Sequence, residues 1–492
     1  MTASTDEDTA RTLSGRRRWL ALVVLSVGQL MVALDATVVN VALPTIQREL
    51  HFSQASLAWV VNAYLITFGG LLLLAGRLGD LVGRKRLFLI GLGAFCASSM
   101  LCGVASSAAM LVASRFLQGA SAAMMSSMVL GTLSPMFPEP KERTRALSVF
   151  AAVTLGGASL GLPIGGGLIE LSWHWIFFIN VPFGLTALVM SARLLEPHVG
   201  LGIREGADVL GALLVTSAPM LVVYALIETS GDGWGSVETI GLFAGSAALV
   251  GLFVFVESHV RTPLIPLRIF RHHNLVSANI VRFLYPIGAF GLNFIGSQYL
   301  QFVVGYNPLR SGLAFIPNSL LIGVISLLGV PVLLGRVGPK PLILTGLTLI
   351  IGGLLVFSRA PVHAHYVTDV LPALLLIGTG FALVFTPTVG VALSDVAPDE
   401  AGLVSGLTNV SVQMGGSIGV ALLASVSASR TTRLLAEHVS RTAARAAGYH
   451  FGFRVAAVCS AVALAVAVVA LRPRSAAGVE LTDRSDALPV LE

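Results

Sequence analysis

Charged side chains are scarce in this sequence, and their scarcity excludes most soluble folds. Of the 492 residues, only 11% are charged while 55% are hydrophobic, and the mean hydropathy is +0.85. Soluble globular domains carry about 25% charged residues, because their surfaces must be hydrated. A chain this apolar is expected to lie in a membrane.

Cysteine and catalytic groups are also scarce. The three cysteines, Cys96, Cys102 and Cys459, fall in apolar segments and lack the spacing of disulfides or metal sites. The sequence contains no Walker loop and no cluster of catalytic side chains, and its histidines in loops have no companion ligands. We therefore expect no enzyme activity, no direct ATP drive, and no metal or other cofactor.

The positive charge does not indicate a nucleic-acid-binding protein. The net charge is +6, but the cations occur in short segments between apolar runs and not on one basic face. Anionic lipid at a membrane surface is the more natural partner. The arginines at 16–18 precede an apolar run too long for a signal peptide, so we expect an uncleaved first span after a polar tail.

Long apolar runs set the fold class. Runs of roughly 17–25 residues, long enough to cross hydrocarbon, recur about fourteen times. They cover residues 20–43, 57–75, 87–104, 110–133, 146–168, 175–195, 209–227, 240–256, 275–302, 313–334, 342–357, 370–391, 404–426 and 453–471. The sequence therefore predicts an all-α integral membrane protein with fourteen transmembrane helices.

The distribution of arginine and lysine predicts the orientation. With the N-terminus inside the cell, most cations fall in cytoplasmic segments, as the positive-inside tendency requires, and both termini are cytoplasmic. Four arginines contradict this pattern, since they crowd a segment expected outside. Two explanations stay open, an amphipathic surface helix or a shifted helix count. The four are Arg430, Arg433, Arg441 and Arg445.

An internal repeat divides the chain into two halves. P-K-E at 140–142 recurs as P-D-E at 398–400, and G-A-S-L-G at 157–161 recurs as G-G-S-I-G at 415–419. G-R-L-G at 76–79 also recurs as G-R-V-G at 335–338, which places Pro339 opposite Asp80. Both copies begin on the same side, as expected for parallel repeats; chance similarity of Gly-rich helices is the alternative. The predicted divisions are tails at 1–18 and 473–492, six-helix bundles at 19–195 and 275–472, and two inserted helices at 196–274.

Residues 76–86, G-R-L-G-D-L-V-G-R-K-R, form the most distinctive stretch. They place four cations and one acid, Asp80, between two apolar runs, which fixes the cations at the bilayer surface. Glycines allow close approach of another backbone. Asp80 can pair with an arginine or face a helix N-terminus, so the stretch is interpreted as a conformational latch.

This stretch resembles the loop between the second and third helices of major facilitator transporters. The resemblance rests on five residues, with Leu81 departing from the common pattern, and the five are Gly76, Asp80, Gly83, Arg84 and Lys85. The fourteen-helix layout resembles the drug:proton antiporter branch. The stretches L-D-A-T-V-V-N-V-A-L-P at 34–44 and W-H-W-I-F-F-I-N-V-P at 173–182 are similar to that branch's signatures.

The resemblance implies proton coupling at two residues. Asp35 lies within the first helix, where an ionised carboxylate is costly, and Arg115 lies in R-F-L-Q-G, which resembles a second family motif. The alternatives are a helix-end acid for Asp35 and a snorkelling side chain for Arg115. Arg282 poses the same choice without a motif, and we expect it to snorkel. A third resemblance, to an antiporter-associated helix motif, involves Gly157, Gly161, Pro163 and Gly165, with ordinary small-residue packing as the alternative.

Polar residues in apolar helices are the candidates for the substrate cavity, although each could instead bond between helices. They are Asn62, Tyr64, Gln118, Asn293, Gln298, Gln301 and Gln413.

The resemblance implies an exporter of amphiphilic organic compounds that exchanges them for protons by alternating access. It is expected to act as a monomer in a bacterial cell membrane, with substrate, protons and lipids as partners and no nucleic acid. The alternatives are a uniporter or a proton symporter of a small metabolite. A membrane sensor or enzyme is a further alternative, and would need a catalytic cluster or a sizeable soluble domain.

Overall fold

The computed structural model describes residues 15–137, 139–196, 200–202, 206–260, 262–397 and 400–472. Residues 1–14 of the predicted N-terminal tail, the predicted tail at 473–492 and the repeat residues Pro398 and Asp399 lie outside the described residues. Every regular element of the described part is helical. The first six long helices are α1 (Gly15–Glu49), α2 (Trp59–Val82), α3 (Arg84–Gly103), α4 (Ala108–Met136), α5 (Pro140–Ile169) and α6 (Trp175–Leu194).

Two helices follow, and then six more. They are α7 (Val209–Asp232), α8 (Val237–His259), α9 (His273–Phe302), α10 (Pro308–Val337), α11 (Pro339–Phe357), α12 (Tyr366–Leu393), α13 (Ala401–Ala436) and α14 (Arg441–Ala470). Twelve helices of the described residues are long and apolar enough to cross a membrane. Helices α4 and α5, of 29 and 30 residues, are not among these twelve.

The two groups of six helices share one packing pattern. In the N-terminal half, α1 packs on α5 and α6, while α4 packs on α2 and α3. In the C-terminal half, α9 packs on α13 and α14, while α12 packs on α10 and α11. Each pair in one half has its counterpart eight helices later.

Glycines bring the equivalent helices close together. A Cβ added to Gly157 of α5 would lie 3.3 Å from the Leu30 carbonyl oxygen of α1. A Cβ added to Gly415 of α13 would lie 1.8 Å from the Phe283 carbonyl oxygen of α9. Small residues allow this backbone approach between membrane helices. The repeated glycines therefore serve the same contact in both halves.

The predicted register of the shorter repeat is wrong. Helix α2 ends at Val82 before Gly83 at φ +102°, and α10 ends at Val337 before Gly338 at φ +76°. Lys85 donates hydrogen bonds to the carbonyls of Ala192 and Leu195, at the end of α6.

Lys340 does the same at the end of α14, donating to the carbonyl oxygens of Val468 at 2.8 Å and Leu471 at 2.9 Å. Gly338 is therefore the counterpart of Gly83 and not of Gly79. Gly335, and not Pro339, stands opposite Asp80.

The arginine-rich segment near the C-terminus is not a separate surface helix. Helix α13 continues to Ala436 and α14 begins at Arg441, so only residues 437–440 connect them. The four arginines lie in the terminal turns of two long helices. Arg445 packs over the ring of Phe302, 4.4 Å from its centroid.

The inserted helices cover one seam between the halves. Helix α7 packs against both α2 and α13, and a Cβ on Gly70 of α2 would lie 2.9 Å from Thr216 Cβ of α7. Thr229 of α7 and Ser425 of α13 share a hydrogen bond of 2.5 Å. Helix α8 packs on α7 and exposes most of its apolar surface. Helix α7 therefore contacts both halves, and α8 lies outside it.

The halves also meet at one end of the bundle. The basic end is defined here by Arg84 and Lys340, and the opposite end by Glu49 and Trp173. Two further contacts join the N-terminal and C-terminal halves, and both lie nearer the opposite end than the basic end. Ser297 Oγ donates to the Asn40 carbonyl at 3.0 Å, and a Cβ on Gly312 of α10 would lie 2.3 Å from the Leu162 carbonyl oxygen.

Replacing Gly338 by alanine should lower the thermal unfolding midpoint of the detergent-purified protein. Gly338 has φ +76° and ψ 176°, a conformation that costs an L residue about 1–3 kcal/mol. The matched control is Gly335→Ala, because Gly335 is helical and a Cβ there meets no atom within 4 Å. Equal midpoints for the two variants would contradict the assignment of Gly338 to the helix-ending position.

Candidate functional site

An acid and a base are buried together in the N-terminal half. Asp35 of α1 and Arg115 of α4 are both 0% exposed. Arg115 Nη1 donates to Asp35 Oδ2, and Arg115 Nε donates to the Val60 carbonyl of α2 at 2.9 Å. The guanidinium also lies over the Tyr64 ring, 4.4 Å from its centroid. Arg115 does not reach the surface, so the snorkelling alternative is wrong.

Three polar side chains complete the cluster. Gln118 Nε2 donates to Asp35 Oδ1 at 2.8 Å and to Ser99 Oγ at 2.7 Å. Asn180 Nδ2 donates to Ser99 Oγ at 3.3 Å and lies 3.5 Å from Asp35 Oδ1. We call Asp35, Ser99, Arg115, Gln118 and Asn180 the Asp35 cluster. It joins α1, α3, α4 and α6 around one carboxylate.

The position of the cluster follows from the helices that carry it. Asp35 is 14 residues from Glu49, the last residue of α1, so it is not a helix-end acid. Arg115 lies about 10 Å along the axis from Ala108, the first residue of α4. The cluster therefore lies inside the bundle, nearer the opposite end than the basic end.

The cluster balances its charge internally. In a low-dielectric interior each charged group is costly alone, and a hydrogen-bonded pair offsets part of that cost. The carboxylate oxygens accept bonds from Arg115, Gln118 and Asn180. Arg115 Nη2 has no hydrogen-bond partner among the described residues, although it is buried. Protonation of Asp35 would remove its negative charge and leave the positive charge of Arg115 without a counter-charge.

Comparison with known families identifies the fold. A model described as Major Facilitator Superfamily matches residues 25–420. The chain belongs to the major facilitator superfamily. It is therefore a multi-pass protein of the bacterial plasma membrane, in agreement with the twelve candidate spans found in its described part.

Curated major facilitator relatives cover most of the chain. Puromycin resistance protein pur8 of Streptomyces alboniger is 39% identical over 92% of this chain and 90% of its own length. Cephamycin export protein CmcT of Amycolatopsis lactamdurans is 36% identical, covering 88% of this chain and 90% of its own. Multidrug resistance protein Stp of Mycobacterium tuberculosis is 36% identical, covering 87% and 79%.

Solved structures show the same fold at low identity. A bacterial homologue of the human lysosomal transporter Spinster, described as inward-facing and unoccupied, matches with TM-score 0.67 and 14% identity, covering 94% of this chain and 98% of that one. The POT family transporter PepTSo matches with TM-score 0.62 and 17% identity, covering 93% of this chain and 99% of that one.

The major facilitator segment at 76–86 is mostly helical and not a loop. Helix α2 runs to Val82, α3 begins at Arg84, and Gly83 alone separates them. Asp80 Oδ1 pairs with Arg84 Nη2 at 3.2 Å, and this pair is partly exposed.

The segment leading to α7 also holds this region. The Asp80 carbonyl accepts a bond from Leu201 N at 2.9 Å, and Arg77 Nε donates to the Gly206 carbonyl at 3.3 Å. The predicted latch is thus joined to the start of the inserted helices. Its role in switching stays a prediction.

The glycine face of α5 packs on α1 beside Asp35. Gly157 lies against Leu30, and Gly165 lies against Val38. Pro163, inside α5, faces the other half, because its Cα would lie 3.2 Å from a Cβ on Gly312. Helix α5 therefore connects the helix of Asp35 to α10.

The predicted cavity residues separate into two groups. Tyr64 and Gln118 lie at the Asp35 cluster, and Tyr64 also donates its hydroxyl to the Val32 carbonyl at 3.2 Å. The others lie elsewhere. Asn62 accepts a 3.3 Å bond from Ser417 across the seam, and Gln413 packs on Gly69.

Three of that second group lie in α9, and one of them bonds across the halves. Gln298 Nε2 donates to the Phe294 carbonyl at 3.3 Å, whereas Asn293 is partly buried in a π-helical turn. Gln301 Nε2 donates to the Val41 carbonyl of α1 at 3.0 Å.

Sequence reasoning missed two members of the Asp35 cluster, Ser99 and Asn180, and wrongly placed the side chain of Arg282. Asn180 could have been found, because it lies in the signature at 173–182, but Ser99 carries no signal. Arg282 is 0% exposed and bonded to α12 and α13, so the snorkelling prediction is wrong.

Breaking the buried pair from one side should be more damaging than removing both charges. Arg115→Met leaves Asp35 without its counter-charge and should destabilise the protein by about 3 kcal/mol or more. Adding Asp35→Asn should recover part of the loss, which thermal midpoints at neutral pH would show as non-additivity. The control is Arg433→Met, which breaks the exposed Arg433–Glu437 pair and should barely change the midpoint. Simple additivity would contradict the coupling.

Alanine at Gly165 should separate α5 from α1. Its Cβ would lie 2.6 Å from Val38 Cγ2 and 2.9 Å from the Val38 carbonyl oxygen, an overpacking that costs about 1–3 kcal/mol. Gly167→Ala is the control on the same helix, because a Cβ there meets no atom within 4 Å. A midpoint for Gly165→Ala as high as that of the control would refute the tight contact.

Proposed function

We propose that this protein exports amphiphilic organic compounds, antibiotics among them, across the plasma membrane in exchange for protons. Its relatives include proteins named for puromycin resistance, cephamycin export and multidrug resistance. The observation that carries the proton step is the ion pair of Asp35 and Arg115, both fully buried within the N-terminal half.

The proposed topology has fourteen spans with the basic end in the cytoplasm. Helices α4 and α5 are as long as their neighbours and pack on α2 and α1, so they are proposed to span as well. The cations of the basic end then obey the positive-inside tendency. The proposed divisions remain two six-helix bundles with α7 and α8 between them, acting as a monomer without a cofactor.

The exchange is proposed to proceed by alternating access. The described contacts of α1 with α9 and of α5 with α10 close the opposite end, which supports a cytoplasm-facing state. When the halves rock so that the opposite end opens, water reaches Asp35 from outside the cell and can deliver a proton. Protonation removes the negative charge from the pair and leaves Arg115 unbalanced, so the closed packing of the cluster is weakened.

Asp35→Asn should abolish transport driven by an imposed pH gradient while the protein still inserts. Asparagine keeps the shape of the side chain but cannot exchange a proton. The measurement is the flux of puromycin and ethidium in proteoliposomes of known orientation.

The control is Asp369→Asn, since Asp369 accepts a 2.7 Å bond from His365 N outside the cluster. Wild-type flux in Asp35→Asn would exclude the proton role. Uptake together with protons by the wild type would identify a symporter, and flux independent of the gradient would identify a uniporter.

A further inference from the structure

Helix α9 carries a second fully buried guanidinium. Arg282 is 0% exposed. Its Nε donates to the Thr408 carbonyl of α13 at 3.2 Å. Its Nη1 donates to the Phe385 carbonyl at 3.0 Å and to Thr388 Oγ1 at 3.1 Å, both on α12. Arg282 is therefore fixed in place by three helices.

Arg282 differs from Arg115 in lacking a counter-charge. Arg282 takes part in no ion pair with another described residue. Neutral oxygens solvate a buried cation only in part, so its field extends into the surrounding low-dielectric region. This part of the C-terminal half favours an anion.

Tyr285 offers an unused donor beside it. It lies three positions after Arg282 on α9, which places both side chains on one helix face. Tyr285 is 0% exposed, and its hydroxyl has no hydrogen-bond partner among the described residues. A buried hydroxyl without a partner is costly, so an acceptor placed there is favoured.

Two aromatic rings of α12 adjoin these groups. Phe381 and Phe385 are stacked, with centroids 5.6 Å apart and planes at 21°. The Tyr285 and Phe381 centroids are 5.5 Å apart, and the Arg282 guanidinium lies 5.2 Å from the Phe385 centroid. Both phenylalanines are only partly buried. We call Arg282, Tyr285, Phe381 and Phe385 the α9–α12 wall.

The wall lies inside the C-terminal half. The rings of Phe381 and Phe385 lie against Tyr285 and Arg282 of α9 and are themselves partly exposed. Arg282 is about 14 Å along the axis from His273, where α9 begins at the basic end. The contacts of α1 with α9 and of α5 with α10 lie nearer the opposite end.

We infer that the α9–α12 wall binds a planar aromatic compound carrying an ionised oxygen, a carboxylate or a phenolate. The ring system stacks on Phe381 and Phe385. The oxygen accepts a hydrogen bond from the Tyr285 hydroxyl and offsets the charge of Arg282. This inference rests on the proposed export function and specifies an acidic substrate class.

Three anthracene derivatives test the charge preference on one ring system. Anthracene-9-carboxylate, anthracene-9-methanol and anthracene-9-methylamine differ at a single substituent, and their fluorescence reports binding to the full-length protein in detergent. The carboxylate should bind about tenfold more tightly than the amine, as expected for a charge-assisted hydrogen bond. Equal or tighter binding of the amine would overturn the inference.

Substitutions then assign the preference to the wall. Tyr285→Phe should weaken carboxylate binding about fivefold and leave the alcohol almost unchanged. Arg282→Gln should remove the preference for the carboxylate, and if that variant does not fold, Tyr285→Phe alone decides. The control is Tyr366→Phe, which removes a hydroxyl bonded to the Ala314 carbonyl at the other end of α12. Unchanged carboxylate affinity in Tyr285→Phe would overturn the inference.

Vesicle transport separates this inference from the proposed function. If the carboxylate binds through Tyr285 but no compound moves under a pH gradient, the proposed export function is refuted and the binding site at the α9–α12 wall is supported. If the amine is exported in an Asp35-dependent way and the carboxylate does not bind, export stands and the wall fails.

Discussion

The structure depends on one constraint, that a charge inside a bilayer must find its partner within the protein. Asp35 and Arg115 meet this constraint together, and the hydrogen bonds of Gln118, Ser99 and Asn180 fix their geometry. Four helices of one half are held by this arrangement. A change of the charge on Asp35 would therefore alter contacts among these four helices and not only at one side chain.

Close helix packing connects the Asp35 cluster to the C-terminal half. Gly161 and Gly165 place α5 directly against the helix of Asp35. Leu162 and Pro163, which lie between these two glycines, contact Gly312 of α10. Backbones in direct contact have few intermediate arrangements, which favours movement of the halves as rigid bodies. Helix α7 packs on α2 of one half and on α13 of the other. A movement of the halves would therefore make α7 move with one of them and slide against the other.

The two halves differ in charge although their packing is repeated. The N-terminal half neutralises its buried arginine with a carboxylate, whereas the C-terminal half surrounds Arg282 with carbonyls, a hydroxyl and aromatic rings. The first arrangement carries the proposed proton exchange, and the second carries the inferred site for a negative oxygen. Under these two proposals, a proton and an acidic compound use separate sites in the same bundle.

The sequence by itself determined the membrane environment, the helix positions, the repeated halves and the presence of Asp35 and Arg115 inside apolar helices. Apolar runs and rare charges decide these features locally, because whether a segment enters hydrocarbon depends mainly on its own length and composition. Only the tertiary structure decided that Gly338 is the counterpart of Gly83, that Arg282 is buried, and that Ser99 belongs beside Asp35. Those facts depend on which helix faces meet, and packing between segments far apart in the chain sets them.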